Sequence, residues 1–460
     1  MNHTIQRWRP ISPELRRVQE KARARPDDQF TSLAHYLSLE ALQRAYDAAK
    51  PNSAPGIDGV TKQEYGLDLE QRLGELHKRL KDGTYRASPV LRRWIAKPDG
   101  GKRPLGLPTV EDKIVQGAVV EILNSIYEVD FLGFSYGFRP GRSTHQALQS
   151  LQTVLQKGKV NWVLDADISQ FFDNIDHKEL MSIIRRRVSD RSLLRLIGKW
   201  LSAGAVEENG RRVRDKRGTP QGGVISPLLG NVFLHHVVDT FIHQWRRSEA
   251  KGEVYIIRYA DDLVIASEHE SDVRKLLEAL DERLKEYGLK LNREKTRMLR
   301  FGRHWQKPEV SKSETFDFLG FTHIAGRDRQ GRYLVKRKTS RKRLNKSLKA
   351  VNQWCKRYRH TPVSWQCKEL RKKLIGHYNY YGVRGNFDSL KNFRHGVWKV
   401  WKNSLMRRSQ KVNRDRIYTL VNQLFPLPDP KITHPEGWFS IDPGYLLGRA
   451  GCGNAARPDL

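Results

Sequence analysis

The sequence predicts an α+β protein in which an antiparallel sheet is followed by a basic, helical region. Between residues 160 and 325, segments of strand length and segments of helical periodicity follow one another as strand, helices, hairpin, helix and strands. Between residues 331 and 420, where the chain is predicted to be helical, it holds 26 Lys and Arg against three acidic residues. The two regions therefore differ in both architecture and charge.

The whole chain has 460 residues and a formal net charge of +33. This length predicts two or three domains. The charge indicates a polyanionic partner, which is nucleic acid or, as a less favoured alternative, an anionic membrane surface. The sequence has no apolar run of 18 residues and no secretory signal at its N-terminus. We therefore expect no membrane partner.

Cysteine is rare. Cys355, Cys367 and Cys452 are widely spaced and form no Cys-x-x-Cys pair. A disulfide framework and a four-cysteine zinc site are both unsupported by this pattern, which is typical of reduced thiols in a reducing compartment.

The first 150 residues are predicted to be mainly helical, with one basic hairpin. A helix ends at a Pro- and Gly-rich loop, residues 51–59, and a polar helix follows at 64–82. Residues 89–98 and 102–108 then form two strands around the turn 99–101. Lys102 and Arg103 are among the basic residues of this hairpin. Alone such a hairpin is usually a solvated face, but beside an acidic metal centre it suits a triphosphate or a template backbone.

Carboxylates stand out on two of the predicted strands. Residues 162–168 form an apolar strand that carries Asp165 and Asp167 on one face, and an Asp in such a strand must be paired or bind a cation. The alternation does not say which of the two does so. Residues 255–267 form two apolar strands joined by the tight turn Tyr259-Ala-Asp-Asp262. Adjacent like charges at Asp261 and Asp262 favour a bound divalent cation, the alternative being a solvated turn that merely favours Asp.

The remaining segments are a long apolar helix that opens near the Gly-rich turn at residue 218, a helix capped by Ser271, strands at 289–298 and 316–321, and the basic region. Trp and Tyr residues are interleaved with the basic residues, which suits a nucleic-acid backbone with unpaired bases. Together, Asp167, Asp261 and Asp262 can hold two Mg²⁺ ions about 3.5–4 Å apart, as two-metal polymerases and nucleases do.

Several ordered motifs resemble those of reverse transcriptases, and more closely those of group II intron-encoded reverse transcriptases and maturases. They are Gly56-Ile-Asp-Gly59, Lys97-Pro-Asp-Gly-Gly-Lys-Arg-Pro-Leu-Gly106, Gly137-Phe-Arg-Pro-Gly141, Asp167-Ile-Ser-Gln-Phe-Phe-Asp173, Thr219-Pro-Gln-Gly-Gly-Val-Ile-Ser-Pro-Leu-Leu229, Tyr259-Ala-Asp-Asp262, Phe318-Leu-Gly-Phe321 and Gly376-His-Tyr-Asn-Tyr-Tyr381. The resemblance covers about residues 50 to 420.

The resemblance implies a right-hand polymerase fold, with fingers and a palm followed by an all-α basic thumb. The implied domains are an N-terminal extension (1–60), the fingers (61–150), the catalytic palm (151–325), the thumb or maturase (X) domain (326–420) and an extended C-terminal tail (421–460). It implies an RNA-directed DNA polymerase that extends a primer with dNTPs and also binds intron RNA to assist splicing and retromobility. The implied partners are intron RNA or an RNA template, a DNA primer or target DNA, and dNTPs, in a bacterial cytoplasmic nucleoprotein complex.

The resemblance also assigns roles to residues. Asp167 becomes the first metal ligand, with the carbonyl of Ile168 nearby, beside Asp261 and Asp262. Phe172 would exclude a ribose 2′-hydroxyl, the less favoured alternative being a core Phe. Lys295 would protonate the leaving pyrophosphate, unless it is simply an exposed strand lysine. Lys102 and Arg103 would bind the nucleotide's phosphates and Gln221 the nucleotide itself. The expected RNA contacts are Arg341, Lys342, Arg343, Lys346, Arg371, Lys372, Lys373, Tyr380 and Tyr381.

The chain departs from many members of this family, since no paired cysteines of a His-Asn-His nuclease are present and the tail is not basic. We therefore expect no endonuclease domain, so that the primer would come from another source, such as a replication fork. Two alternatives remain: a related reverse transcriptase used in anti-phage defence or CRISPR spacer acquisition, and a splicing-only RNA-binding maturase.

Overall fold

A layer of helices forms the N-terminal part of the protein. The computed structural model describes residues 12–96, 101–213, 217–219, 222–302, 314–408 and 413–434. The first helices are α1 (Pro13–Ala24), α2 (Leu39–Ala48), α3 (Lys62–Tyr65) and α4 (Leu69–Lys81). Thr61 and Glu64 form a capping box that fixes the start of α3. Both α1 and α2 pack against the long helix α5 (Val110–Asp130), whose apolar residues cover most of its surface and are buried.

The predicted basic hairpin is present as two antiparallel strands, β1 (Val90–Ala96) and β2 (Lys102–Leu107). After α5, a loop leads to α6 (Thr144–Lys157), which begins at a capping box of Ser143 and Gln146. The next elements, listed in chain order, are β3 (Trp162–Asp167), α7 (Phe171–Asn174), α8 (His177–Arg185), α9 (Arg191–Ser202), β4 (Ala205–Val206), β5 (Arg212–Val213), α10 (Ser226–Leu234) and α11 (Thr240–Ser248). One turn of π-helix, His235–Asp239, joins α10 to α11.

The central sheet has four antiparallel strands. After α11 come β6 (Val254–Tyr259), β7 (Asp262–Ser267), α12 (Glu270–Glu286) and β8 (Arg297–Arg300), and the strand order is β6-β7-β3-β8. β6 and β7 are buried almost throughout, because helices cover the sheet. A smaller sheet, of order β2-β1-β4-β5, belongs to the hairpin region. The α+β prediction with an antiparallel sheet is confirmed.

Three local predictions in this region are wrong. α12 begins at Glu270, so Ser271 lies in its first turn and does not cap it. Residues 292–296 form turns, and only Arg297–Arg300 pair as β8, because the backbone of Lys295 and Thr296 hydrogen-bonds to the carbonyl of Asn292. The stretch 316–321 is a hairpin: β9 (Thr315–Phe318) turns at Leu319 and Gly320 into β10 (Phe321–Arg327).

The third sheet is completed by β11 (Tyr333–Thr339), in the order β11-β10-β9. The predicted boundary between palm and thumb, after residue 325, therefore falls inside β10. The helices of the basic region begin only at Arg341, because residues 333–339 alternate between buried and exposed positions and pair with β10. They are α13 (Arg341–Arg357), α14 (Val363–Tyr381), α15 (Phe387–Met406) and α16 (Arg414–Thr419).

The buried apolar side chains form two clusters. The larger runs from Leu15 in α1 through the central sheet to Val383. The regions predicted as N-terminal extension, fingers and palm thus share one core. The smaller cluster, from Val351 to Leu427, lies within the helices of the basic region. Among the described residues, no helix is long and apolar enough to cross a membrane.

Candidate active site

The Asp-Asp pair lies at a tight hairpin turn, as predicted. Tyr259 pairs with Asp262 across β6 and β7, so Ala260 and Asp261 form a two-residue turn. Ala260 has a φ of 56°, the left-handed conformation that two-residue hairpin turns require. β3 pairs with β7 so that Asp167 lies directly opposite Asp262. Opposite residues of paired strands point to the same face, so these two carboxylates are neighbours.

A buried arginine, Arg258, anchors this turn. Its side chain is 1% exposed. It donates to the Ala260 carbonyl at 3.0 Å and to Ser135 Oγ at 2.7 Å, and it pairs with Asp239 through Nε at 2.6 Å and Nη2 at 2.5 Å. Asp239 itself lies in the π-helical turn and is fully buried. Sequence reasoning missed this network, although a single Arg within an apolar strand signals that a buried partner exists.

The carboxylates of the turn have raised pKa values. The side chain of Asp262 is accessible to solvent, but protein atoms surround it closely, and this desolvation is the largest cause of its raised pKa. The negative charges of Asp261, Asp167 and Asp165 raise the pKa further, to about 7. The pKa of Asp261 is also raised, first by desolvation and then by Asp167. The site therefore holds more negative charge than its own residues neutralise, which favours a bound cation.

Two basic residues lie beside β3. Lys295 Nζ is 3.1 Å from Asp167 Oδ2, and Arg297 Nη2 is 3.6 Å from Asp165 Oδ2. The two carboxylates that the sequence left undistinguished thus have different partners. Partial burial lowers the pKa of Lys295, but the hydrogen bond and charge of Asp167, together with Asp262 and Asp261, outweigh it and raise that pKa above its ordinary value. Lys295 therefore stays protonated beside the carboxylates.

The hairpin of β1 and β2 supplies positive charge from the other side. Lys102 and Arg103 are both exposed at the start of β2. Desolvation raises the pKa of Asp261, and the charge of Arg103 lowers it in part. The role of Lys102 stays a prediction.

Phe172 lies next to the site, half-buried. Its ring contacts Phe171 at a centroid distance of 5.0 Å, and a Cβ at Gly230 would lie 2.9 Å from it. The backbone N–H of Thr219 donates to the Phe172 carbonyl at 2.9 Å. Gln221 lies outside the described residues. Its neighbour Gly222 has a φ of 118°, and a Cβ there would be 2.2 Å from the Gly106 carbonyl of β2, so this loop and the basic hairpin are in contact.

Left-handed backbone occurs at three positions that are close to the carboxylates in space or in sequence, and at one in the β9–β10 hairpin. Four described residues other than glycine have positive φ: Phe138, Gln170, Ala260 and Leu319. Gln170 follows Asp167 by three positions, and a Cβ at Gly137, next to Phe138, would meet the backbone N of Ala260 at 2.3 Å. The Leu319 carbonyl accepts a hydrogen bond from Tyr380 Oη at 2.9 Å. Strained backbone of this kind clusters at functional sites.

Most of the basic residues predicted to bind RNA lie on the surface of α13 and α14. Arg341, Lys342, Lys346 and Arg371 to Lys373 are exposed, and Arg343 is half-buried near Tyr381. Arg341 and Lys342 also line a cleft of about 550 Å³ together with Arg297 and Asp317. Tyr380 and Tyr381 instead pack against the larger core and contact Phe321, at centroid distances of 6.0 and 5.2 Å. These two rings join the helices to the sheets.

The donor set suits hard divalent cations, since three carboxylates come from one turn and the adjacent strand. The structure shows the Asp167 carboxylate paired with Lys295. In the parts of the chain that the structure describes, no group of three or more His, Cys, Asp or Glu side chains is arranged to hold a metal ion. A metal role for these carboxylates and for the Ile168 carbonyl therefore rests on donor chemistry and uncompensated charge.

The amino-acid sequence is similar to those of known proteins. Residues 95–323 match the family described as reverse transcriptase (RNA-dependent DNA polymerase). The chain is 39% identical over 238 residues to the group II intron-encoded protein LtrA of Lactococcus lactis subsp. cremoris, which covers 51% of this chain and 39% of LtrA. It is 32% identical over 369 residues to protein YkfC of Escherichia coli (strain K12), covering 73% of this chain and 90% of YkfC.

A more distant relative is nuclear intron maturase 4, mitochondrial, of Arabidopsis thaliana, at 26% identity over 214 residues, which cover 46% of this chain and 25% of that protein. The chain thus spans well under half the length of LtrA and of this maturase, but nearly all of YkfC.

Proposed function

Because the chain belongs to the reverse transcriptase family, and within it to the group II intron-encoded reverse transcriptases and maturases, we propose that it copies RNA into DNA and binds intron RNA. The observation that carries the polymerase proposal is the convergence of Asp167 with Asp261 and Asp262 at the end of the central sheet. LtrA and the plant maturase are named for introns, which supports assistance to splicing and retromobility as part of the same proposal.

The substrates are a primer on an RNA template and dNTPs, and the cofactor is Mg²⁺. Asp167, Asp261 and Asp262, with the carbonyl of Ile168, would hold two ions. When bound, they supply the positive charge that lowers the pKa of an attacking hydroxyl and neutralises a leaving pyrophosphate. Mutual repulsion between the carboxylates supports this assignment, because Lys295 offsets it only in part and a bound cation or a proton would relieve the rest.

Other residues of this chain bind and orient the nucleotide. Arg103 and Lys102 contact its phosphates from the exposed end of the hairpin, and Gln221 contacts the nucleotide from the loop that packs on β2. Lys295, which is protonated and hydrogen-bonded to Asp167, donates a proton to the leaving pyrophosphate. Phe172 excludes the 2′-hydroxyl of a ribonucleotide, which agrees with its half-buried ring beside Gly230, five residues after Asp167.

The RNA-binding surface is the basic face of α13 and α14. It consists of Arg341, Lys342, Arg343, Lys346, Arg371, Lys372 and Lys373. Tyr380 and Tyr381 belong to the same proposal, since both are half-buried and keep part of their side chains accessible beside the contact with Phe321. Phosphate contacts dominate such binding and make it dependent on salt.

Primer extension tests the polymerase proposal. Wild type and the double variant Asp261→Ala/Asp262→Ala are incubated with a DNA primer on an RNA template, dNTPs and Mg²⁺. We expect DNA synthesis by wild type alone, with equal RNA binding by both proteins. Tight RNA binding without synthesis by wild type would reject the polymerase and leave a splicing-only maturase.

A salt titration tests the RNA-binding surface. For single-stranded RNA, each phosphate contact contributes a slope of about −0.7 to the dependence of log affinity on log salt concentration. The double variant Arg341→Ala/Lys342→Ala should make this slope shallower by about 1.4. Arg274→Ala, which removes an exposed arginine paired with Glu270 on α12, is the matched control and should leave the slope unchanged. Equal slopes for all three proteins would exclude this face of α13.

A further inference from the structure

A short segment, residues 134–138, pairs with the edge strand β6 through residues 134–136 and then turns at Gly137 and Phe138 beside the catalytic turn. Arg258 N–H donates to the Phe134 carbonyl and Tyr136 N–H donates to the Arg258 carbonyl, both at 2.9 Å, and Ser135 forms a parallel bridge with Arg258. The segment therefore follows β6 in register and reaches the turn at Ala260.

Both neighbours of Phe138 are held in place. Gly137 accepts a hydrogen bond from Asn231 Nδ2 at 2.7 Å and approaches Ala260 so closely that no Cβ would fit. Arg139 is 6% exposed, and it donates to the Leu132 carbonyl at 2.9 Å, to the Ser135 carbonyl at 2.7 Å and to Glu128 at 3.0 Å. Phe138 cannot change its backbone conformation without breaking one of these contacts.

Phe138 is itself strained and exposed. Its φ of 58° is a left-handed conformation that bulky residues rarely adopt. Its side chain is 41% exposed, and its ring centroid lies 6.4 Å from that of Tyr259, the first residue of the catalytic turn. The contacts of Gly137 and Arg139 hold the backbone, but an exposed ring adds little to the hydrophobic core, so packing does not explain why a bulky residue occupies this strained position. Strain that packing does not explain is an indication of function.

We propose that Phe138 is a positioning residue whose ring, side by side with Tyr259, packs against the sugar and base edges of the terminal base pair of the primer–template duplex. This inference rests on the proposed function, because the duplex end must lie at Asp261 and Asp262 for synthesis to occur. The two rings adjoin that turn, and the apolar surface of a phenyl ring suits sugars and base edges of any sequence. Phe138 thus holds the primer end in register without reading the sequence.

The test uses a DNA primer with 2-aminopurine at its 3′ end, annealed to an RNA template and bound by the full chain without dNTPs. Wild type is compared with Phe138→Ala and Phe138→Gly. Gly adopts positive φ without strain, so Phe138→Gly removes the ring and relieves the backbone, whereas Phe138→Ala removes the ring alone. Leu67→Ala is the control, since Leu67 is 81% exposed in the short 3-10 helix between α3 and α4.

We expect both Phe138 variants to lose at least half of the 2-aminopurine fluorescence change seen with wild type and Leu67→Ala. Their KM for primer–template should rise about tenfold, as expected when one aromatic contact to a nucleotide is removed, with a smaller change in kcat. Phe138→Gly should melt no lower than Phe138→Ala. If both variants show the fluorescence change and the KM of wild type, the inference is overturned. It is also overturned if Phe138→Gly alone has wild-type values, because the effect of Phe138→Ala would then come from the backbone and not from loss of the ring.

The two proposals fail in different ways. If wild type makes no DNA on this substrate, the polymerase assignment is rejected. The fluorescence comparison needs no synthesis, and it still decides whether the Phe138 ring contacts the primer end.

Discussion

At Asp262, the proposed catalysis requires a charged carboxylate, whereas folding favours the protonated form. Its pKa in the folded protein is about 7, against an ordinary value of 3.8, because of desolvation and the charges of Asp261, Asp167 and Asp165. The folded state thus holds this proton more tightly than the unfolded state does. The stability that Asp262 contributes by holding this proton is fully present below about pH 4, and it is lost as the pH rises through about 7.

Asp262→Asn should therefore stabilise the metal-free protein at pH 8, by about 1 kcal/mol once solvent screening of this exposed group is allowed for. Urea unfolding in EDTA at pH 5 and pH 8 measures this. The gain should be smaller at pH 5, because Asp262 of the folded wild type is almost fully protonated there and no longer adds charge to the site. Comparing the two proteins at each pH cancels the histidines whose pKa values burial lowers, such as His145 and His235. A variant that is less stable than wild type at pH 8 would contradict the repulsion.

Arg258 acts on the active site through the backbone. Arg258→Met leaves Asp239 buried and unpaired, and it should lower the free energy of unfolding by about 3–5 kcal/mol. Arg258→Met/Asp239→Leu removes both charges and should recover most of that loss. Neither variant can hydrogen-bond to the Ala260 carbonyl, so DNA synthesis should stay impaired in both. Chemical denaturation and primer extension measured on the same samples check this; full activity of the double variant would show that the arginine serves folding alone.

For individual residues, the sequence predicted which ones carry charge at the site but not which residues they pair with. The adjacent Asp261 and Asp262 were visible as a pattern. Asp239, however, is 19 positions from Arg258, in a π-helical turn that no periodicity predicts. Likewise, only the structure separates Asp165, beside Arg297, from Asp167, beside Lys295.

The hairpin turn and the segment before α6 act together as one element, because Gly137 packs directly on Ala260. Gly137→Ala would place a Cβ 2.3 Å from the Ala260 nitrogen, which forces the turn or the segment to move. We expect at least a hundredfold loss of DNA synthesis, since small displacements of reacting groups have effects of about this size. Circular dichroism should show a folded protein.

Gly198→Ala is the matched control, because a Cβ at Gly198 in α9 meets nothing within 4 Å. It should keep full activity and gain up to about 1 kcal/mol of stability, as Ala favours a helix over Gly. Equal activity of the two variants would show that the catalytic turn tolerates displacement.

The sequence predicted elements best where the hydrophobic pattern was long. The strands β6 and β7 and the helix α5 have continuous apolar residues, and they lie where expected. The pattern failed where turns interrupt short apolar runs. Leu319 adopts positive φ in a hairpin that the alternation of Phe316, Phe318 and Phe321 does not reveal, and the turn at Lys295 replaced a predicted strand.

In the whole molecule, the helices from α13 onwards form a unit with its own core. Trp401 is fully buried in this smaller cluster, and its Nε1 donates to Gln366 Oε1 at 2.9 Å. Trp401→Ala should destabilise this unit by about 3–5 kcal/mol. Hydrogen exchange should speed up in α13–α15 but not in β3, β6 and β7. Trp94→Ala, at a half-exposed ring on β1, is the control. Equal loss of protection in the central sheet would show that the two clusters unfold as one.

Composition predicted the positive charge of this helical unit but not how it is attached to the sheets. The sequence predicted Tyr380 and Tyr381 as aromatic residues for RNA, and the structure shows that their rings also pack against Phe321. An exposed aromatic that stacks on bases and one that fills a junction have the same sequence signature, because both lie on basic helices.

The central claim is that Asp167, Asp261 and Asp262 form one nucleotidyl-transfer site from which Asp165 is excluded. Its most direct test is single-turnover addition of one dNTP to a primer on an RNA template by wild type and by Asp165→Asn, Asp167→Asn, Asp261→Asn and Asp262→Asn. We expect losses of about a thousandfold for the last three, as for removal of a key charge-stabilising group, and less than tenfold for Asp165→Asn. A wild-type rate in Asp167→Asn or Asp262→Asn, or an equal loss in Asp165→Asn, would contradict the account.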